Sequence, residues 1–361
     1  MKVLHYIWSV DFGGIERLTL DLARQQAKAG HVESTILIGK GGGKMREAFE
    51  SSGIACIDAG LTSGGDISPA TCKRLVTLFK KFDILHFHTF TPIVALAARL
   101  SGTKTVFTEH GNFGFGRRIT TADKIKARLL KTFLEKADYI SFNSDFTRRE
   151  AGKRYGLKRV KQGVIYNGID THPARPTARV QGMEGKFVVG TSSRFAGFKR
   201  IDRLIDAFRI FADGKPDVCL LLVGDGPLMP DLKKQAGTNG LSGKTVFTGY
   251  ASNVRDYQSA MDICVFPSEK EPFGIAALET LLIGKPTLVM KDGGGILEII
   301  SGINSQDIAG DVNELAMRMN FYYAKRGASD PDENKRKAHA RSFDIEKMES
   351  EFYQVYKSIK S

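Results

Sequence analysis

Asp262-Ile263-Cys264-Val265-Phe266-Pro267 and then Glu271-Pro272-Phe273-Gly274-Ile275-Ala276-Ala277-Leu278-Glu279-Thr280-Leu281-Leu282 carry the reading of the fold. The first run is short and apolar, which suits a strand buried on both faces. The second begins as a loop and turns helical at Ala276, and Gly284 closes the helix as a C-cap. The backbone N–H groups of Gly274, Ile275 and Ala276 then fall at a helix N-terminus, where a phosphate or hydroxyl oxygen is well received. Glu271 enters from the loop and can accept ligand hydroxyls. Glu279, about two turns into the helix, can accept a vicinal diol. Two ordinary glutamates are the bland alternative, and the surrounding sequence decides between the readings.

Outward from this stretch, strands and helices alternate, which predicts parallel, doubly wound sheets. In the first half the strands are Lys2–Trp8, Ser34–Ile38, Ile84–Thr89, Thr105–Glu109 and Tyr139–Asn143. Helices are expected at Ile15–Ala29, Met45–Ser51 and Pro69–Lys80. Gly163-Val164-Ile165-Tyr166-Asn167-Gly168-Ile169-Asp170, followed by Pro173 and Pro176, reads as a linker between domains. The pattern restarts with strands at Lys186–Thr191, Val218–Val223, Val246–Thr248, Ile263–Phe266 and Thr287–Met290, and helices at Ile201–Gly214 and Leu228–Gly237. The last segment, Phe343–Lys360, is an amphipathic helix with Phe343, Ile345, Met348, Phe352, Val355, Tyr356 and Ile359 on one stripe.

A chain of 361 residues with 42% hydrophobic and 26% charged residues fits two globular α/β domains. No apolar run approaches a membrane span. The N-terminus reads as a first strand, too short and polar for a signal peptide. Cys56, Cys72, Cys219 and Cys264 show no paired spacing, so buried free thiols in a reducing cytosol are expected. Charge is uneven. Residues 1–170 hold 27 Lys and Arg against 16 Asp and Glu, a net +11, whereas residues 171–361 hold 26 against 24, a net +2. A basic half beside a neutral one suggests a polyanionic surface partner for the first half.

Several short stretches can carry chemistry. Ser192-Ser193-Arg194-Phe195-Ala196-Gly197-Phe198-Lys199-Arg200 follows the first strand of the second half. Its Arg194 can fork onto a diphosphate while Lys199 adds a point charge; a solvated basic loop is the plain reading. Asp11-Phe12-Gly13-Gly14-Ile15 follows the first strand of the chain. Its two glycines allow close backbone approach at a helix N-terminus, but the G-x-G-x-x-G spacing of a dinucleotide fingerprint is absent. Gly224-Asp225-Gly226-Pro227 is a strand-to-helix turn. Tyr250 can stack on a base or pack as a surface aromatic. His110 ends a strand, and His86 and His88 share a face of the strand before it. The three invite misreading as a metal cluster, and His86 reads better as a satisfied core histidine. Arg117–Lys136 holds seven Lys and Arg against two acids. Ile125, Leu129, Phe133 and Leu134 can form one face there, lying either on an anionic bilayer or on the protein's own sheet. No nucleic-acid-binding signature accompanies the charge.

In this order, Gly13-Gly14, His110, Asn167-Gly168-Ile169-Asp170, Arg194 with Lys199, Gly224–Pro227 and Glu271 with Glu279 resemble the retaining glycosyltransferases of family 4. The resemblance covers nearly the whole chain and is strongest from Ile165 to Pro286. Two departures stand out. Leu297 occupies a position where the family usually has Pro, and the segment after Ile300 lacks the usual Gly-Leu-Leu-Val turn.

The resemblance implies a GT-B fold, an α/β architecture of two Rossmann-like doubly wound domains facing across a cleft. Residues 1–166 would bind acceptor, 167–342 would bind the nucleotide-sugar donor, and the helix 343–361 would return to the N-terminal domain. It implies metal-independent transfer of a sugar, from a UDP- or GDP-sugar substrate and with no cofactor, and the basic first half points to a glycan or lipid-linked acceptor of cell-surface polysaccharide synthesis. Arg194 and Lys199 would neutralise the diphosphate, Glu271 would hold the sugar hydroxyls, Glu279 the ribose, and His110 the transferred sugar near its 6-position. Gly13, Gly14, Gly224, Tyr250, Phe273, Gly274, Ile275 and Ala276 would line the donor. The family shows no carboxylate beneath the anomeric carbon, and same-face attack is the usual proposal. Acceptor residues would lie in Thr62–Pro69 and Asn112–Thr121. A cytoplasmic protein is expected, with Arg117–Lys136 a candidate contact to the inner face of the membrane. A nucleotide-sugar epimerase and a non-catalytic partner subunit are the competing readings. A phosphorylase would need a pyridoxal lysine, for which no context is seen.

Overall fold

The computed structural model describes every residue except 12, 112, 114–119, 158–159, 173–181 and 361, and only the backbone of Ala122. Described residues gather into two compact units, one of Met1–Phe113, the stretch to Gly168 and Ile345 onward, the other of Ile169–Asp344.

The first unit alternates β1 (Lys2–Ile7), α1 (Gly14–Ala29), β2 (Glu33–Ile38), α2 (Arg46–Glu50), β3 (Ala55–Asp58), α3 (Pro69–Phe79), β4 (Ile84–Phe87), α4 (Pro92–Ser101), β5 (Lys104–Glu109), α5 (Thr121–Leu134), β6 (Tyr139–Phe142), α6 (Asp145–Tyr155) and β7 (Gln162–Val164). Its sheet is parallel throughout, in the order β3-β2-β1-β4-β5-β6-β7. The order reverses direction between β1 and β4, so the carboxyl ends of those strands flank the switch point where doubly wound sheets take ligands.

The proposed linker begins later than its sequence suggests. Gln162–Val164 pairs with β6 as an edge strand and Ile165 is buried. Backbone pairing absorbs a stretch whose Gly and Asn content reads as loop; the unit boundary falls at Gly168.

The second unit runs β8 (Phe187–Ser192), α7 (Ile201–Phe211), β9 (Val218–Val223), α8 (Met229–Thr238), β10 (Thr245–Gly249), α9 (Val254–Ala260), β11 (Ile263–Phe266), α10 (Ile275–Leu282), β12 (Thr287–Met290), α11 (Ile296–Ile300), β13 (Ile308–Ala309), α12 (Val312–Ala324) and α13 (Glu333–Arg341). Its parallel sheet has the order β10-β9-β8-β11-β12-β13, with the switch between β8 and β11. Both faces are covered. Val218, Leu220 and Leu222 enter one core cluster, and Cys219, Leu221 and Val223 the other. That is why β9 is apolar at every position rather than at alternate ones. Truncating one of these leucines to Ala costs about 2–5 kcal/mol.

The chain then returns to the first unit with α14 (Ile345–Lys360). Its buried stripe is Ile345, Met348, Glu349, Phe352, Tyr356 and Ile359. Phe343 does not join it. Its ring lies 5.9 Å from that of Phe273 in the second unit, before the helix begins. Lys28 Nζ donates to Glu346 at 3.0 Å, fastening α14 to α1, and the Tyr353 ring stacks at 5.0 Å on His31, just beyond the end of α1.

Burial pushes the Cys264 thiol up to about 12 and raises Cys219, so both stay protonated. Cys56 and Cys72 are free but only half-buried.

Candidate functional site

In the second unit the loops leaving β8 and β11 bring together the residues expected to handle a nucleotide diphosphate. Gly197–Lys199 forms a single 3-10 turn, and Lys199 Nζ donates to Glu271 Oε2 at 2.7 Å. The side chains of Lys199 and Glu271 are 17% and 9% exposed. Seventy-two positions of sequence separate them, and the switch-point topology closes the gap. Among the described residues one ammonium hydrogen is used, leaving two, and Glu271 Oε1 accepts from none of them. A pair taken out of water with donors and an acceptor still open is a poor device for stability and a good one for a ligand. Arg194 is exposed and its side chain has no ion pair among the described residues.

Backbone geometry holds these groups in place. Glu271 N–H donates to Gly293 O and its own carbonyl accepts from Gly295 N–H, each at 2.7 Å. Gly224 has φ +134, and a Cβ there would stand 1.9 Å from the Ser193 carbonyl oxygen. The Gly224–Pro227 turn is thus packed directly on the Arg194 loop, and Phe195 N–H donates to Asp225 O at 2.9 Å. Gly274 has φ +101 and caps α10, and the Ile275 and Ala276 N–H groups have no hydrogen-bond partner among the described residues. Gly284 N–H to Leu281 O and Lys285 N–H to Thr280 O complete the Schellman motif behind it. Phe273 is buried and Tyr250 is 45% exposed.

Three supports of the site are not legible in the sequence. Gln258 Nε2 donates to Ser192 Oγ at 2.9 Å and lies 3.5 Å from Glu279 Oε2, tying the far glutamate to β8. Arg200 and Lys270 both adopt left-handed backbone, φ 48 and 52, on the two loops that carry Lys199 and Glu271. Arg200 is held there by Asp202 and Glu269, and the neighbouring Arg203 by Asp292. Asp202 is two positions from Arg200, but Glu269 and Asp292 are 69 and 89 positions from their arginines, and those pairings leave no local pattern to find.

In the first unit Gly13 caps α1 with extended backbone and no capping side chain, and Gly14 opens the helix. His110 follows β5, is 9% exposed, and lies with Nε2 3.2 Å from His88 Nδ1. His5 Nδ1 is 3.1 Å from His88 Nε2. His86 contacts Tyr356 OH and Thr108 Oγ1, both at 2.7 Å, and is a satisfied core histidine. Nitrogens of His5, His86 and His88 lie within 4.8 Å of one another. That trio differs from the one suggested by strand spacing, because His5 on the adjacent strand replaces His110. All six of its ring nitrogens already have hydrogen-bond partners, so the donor set is saturated and does not suit a metal.

The basic segment is split rather than one-faced. Ile125 and Leu129 are 59% and 46% exposed, while Leu134 is buried and Phe133 packs edge-on to Phe87. Arg117, Arg118 and Ile119 lie outside the described residues, as does most of the Asn112–Thr121 loop. No helix among the described residues is long and apolar enough to cross a membrane.

Two parallel doubly wound units, each with its ligand-receiving edge at a switch point, are the architecture of the GT-B fold class. Comparison with known proteins agrees. The model of Glycosyltransferase Family 4 matches residues 12–173 and that of Glycosyl transferases group 1 matches residues 177–311. The chain belongs to glycosyltransferase family 4. The glycosyltransferase YqgM of Bacillus subtilis is 27% identical over 228 residues, 62% of each chain. The 2-deoxystreptamine glucosyltransferase of Streptomyces kanamyceticus is 27% identical over 254 residues, 65% of this chain and 64% of that one. The chain thus spans just under two-thirds of the length of these relatives. Anabaena Alr3699/HepE, solved in complex with UDP, superposes with a TM-score of 0.83 at 23% identity, covering 99% of this chain and 100% of that one.

Proposed function

We propose that this chain is a retaining, metal-independent glycosyltransferase. It moves a sugar from a UDP- or GDP-sugar to a hydroxyl of a glycan or lipid-linked acceptor in cell-surface polysaccharide synthesis. The observation that carries the reading is the Lys199–Glu271 pair, 2.7 Å apart and largely buried, with two ammonium hydrogens and one carboxylate oxygen uncommitted. A diphosphate oxygen fits the ammonium and a sugar hydroxyl fits Oε1. Arg194, with no ion pair among the described residues, forks onto the same diphosphate. As the bond from the anomeric carbon to the diphosphate breaks, negative charge grows on the leaving group. Lys199, Arg194 and the free Ile275 and Ala276 N–H groups stabilise it without reorganising. Glu279 holds the ribose, His110 the transferred sugar, and the acceptor attacks from the face the diphosphate leaves. The Anabaena neighbour's complexes with UDP and with UDP-glucose favour UDP as the nucleotide. The first unit is the acceptor side of this scheme.

Membrane attachment belongs to the same reading. Exposed Ile125 and Leu129 on α5 stand among Lys124, Lys126, Arg128 and Lys131, and Leu96 and Leu100 are exposed on α4, which packs against α5. Apolar side chains within a basic field suit an anionic bilayer.

Thermal melts against UDP, GDP, ADP and their sugar conjugates test the donor site. A ligand at 100 times its dissociation constant adds about 2.7 kcal/mol. A shift with one nucleotide family is the expected result. No shift with any of them overturns the reading.

A further inference from the structure

The row of histidines in the first unit starts at Gln26, and the distances there leave one direction. Gln26 Oε1 lies 2.7 Å from Ser34 Oγ and 2.8 Å from His5 Nε2, whereas Gln26 Nε2 reaches Tyr356 OH at 3.4 Å. The two short contacts suit an O–H and an N–H converging on the two lone pairs of one carbonyl oxygen. His5 therefore donates from Nε2. A neutral imidazole donates at one nitrogen and accepts at the other. So His5 Nδ1 accepts from His88 Nε2 at 3.1 Å, and His88 Nδ1 accepts from His110 Nε2 at 3.2 Å. His110 is left with a lone pair on Nδ1, which has no hydrogen bond to any described residue.

We propose that Gln26, His5 and His88 are positioning residues that fix the tautomer of His110, so that its Nδ1 meets the transferred sugar only as a hydrogen-bond acceptor. The inference rests on the reading of His110 as a sugar contact. It names the chemistry that contact selects: a free hydroxyl at that position, not an ether or a carboxylate, neither of which has a proton to give. The rings stay neutral at pH 7, because burial pushes His5 and His110 down to about 4 and holds His86 and His88 well below the usual imidazole value. An imidazolium anywhere in the row would donate from both nitrogens and break it.

The full chain labelled with 15N-histidine, read by two-bond 15N–1H correlation at pH 7, tests this without donor or turnover. His5, His88 and His110 should each be neutral with the proton on Nε2. A proton on His110 Nδ1, or a mixture of the two forms, overturns the proposal. Gln26→Leu removes the terminal acceptor and should leave all three rings as mixtures. It should lower kcat about ten-fold, the worth of one well-directed hydrogen bond, with KM for the nucleotide sugar little changed. Gln26→Glu keeps an acceptor and should restore the single tautomer and the rate. An unchanged His110 spectrum in folded Gln26→Leu also overturns it. If His110→Ala transfers sugar normally while the wild-type spectrum is as expected, the sugar-contact reading fails and the tautomer relay stands.

Discussion

Lys199 and Glu271 each satisfy part of the other's charge at 2.7 Å. In the proposed site each keeps that contact and turns its open valence to the nucleotide sugar. Charge is therefore needed on both. Glu271→Ala and Lys199→Ala are expected to abolish transfer, each losing at least 10²-fold in kcat, while circular dichroism shows an intact fold. Near-normal turnover in either variant sinks the site assignment. Glu271→Gln separates charge from shape: the amide still reaches a hydroxyl but no longer neutralises the ammonium, so the rate should fall with little loss of stability. At this scale the sequence was informative about residue types and silent about their pairing. Arg194 and Lys199 stand out as cations on a strand-to-helix loop, yet nothing local says that Lys199 faces Glu271 or that Arg200 also reaches Glu269.

Periodicity made the elements legible where burial is two-sided or strongly one-sided. β9 and β11 read as strands because all their positions are apolar and covered, and α7 reads as a helix because Ile201, Leu204, Ile205 and Phe208 share its buried stripe. Short elements held by pairing alone escaped: β7 has three residues, none of them buried, and β13 has two. The basic α5 was legible as a helix, but not which part of it is covered. Its C-terminal end packs through Phe133 and Leu134, and its N-terminal half leaves Ile125 and Leu129 outward. That division gives a prediction at the level of the helix. The protein should sediment with vesicles containing anionic lipid and not with zwitterionic ones, and raised salt should release it. Ile125→Asp with Leu129→Asp should abolish co-sedimentation while leaving the melting temperature within a few degrees, since neither side chain is in the core. Equal binding to both vesicle types, or undiminished binding of the double variant, removes the membrane from the picture.

The two units of the whole molecule should answer mild acid in opposite senses. His5 and His110 have folded-state values depressed to about 4 by burial, against 6.5 unfolded. Their contribution is present above pH 6.5 and is lost as pH falls through 4, with about 2 kcal/mol for each already gone at pH 5. In the second unit burial raises Asp307 to about 6. Its contribution is present below its unfolded value and lost as pH rises through 6, so moving from pH 7 to pH 5 returns about 1 kcal/mol. Urea unfolding monitored by hydrogen exchange, unit by unit, should show the first unit weakened and the second slightly strengthened at pH 5. A uniform loss in both would contradict the burial of the histidine row. The first unit is also made in two instalments, because α14 lies beyond the whole of the second unit in the chain, yet supplies the Tyr356 hydroxyl to His86 and closes over α1. At about 5–20 residues added per second, roughly 10–40 s of synthesis separate β7 from α14. Through that interval the nascent first unit holds its sheet but lacks the phenol that completes its polar interior. The nascent chain thus has a waiting period in which this half is open to chaperones and proteases, and it ends only when the final helix arrives.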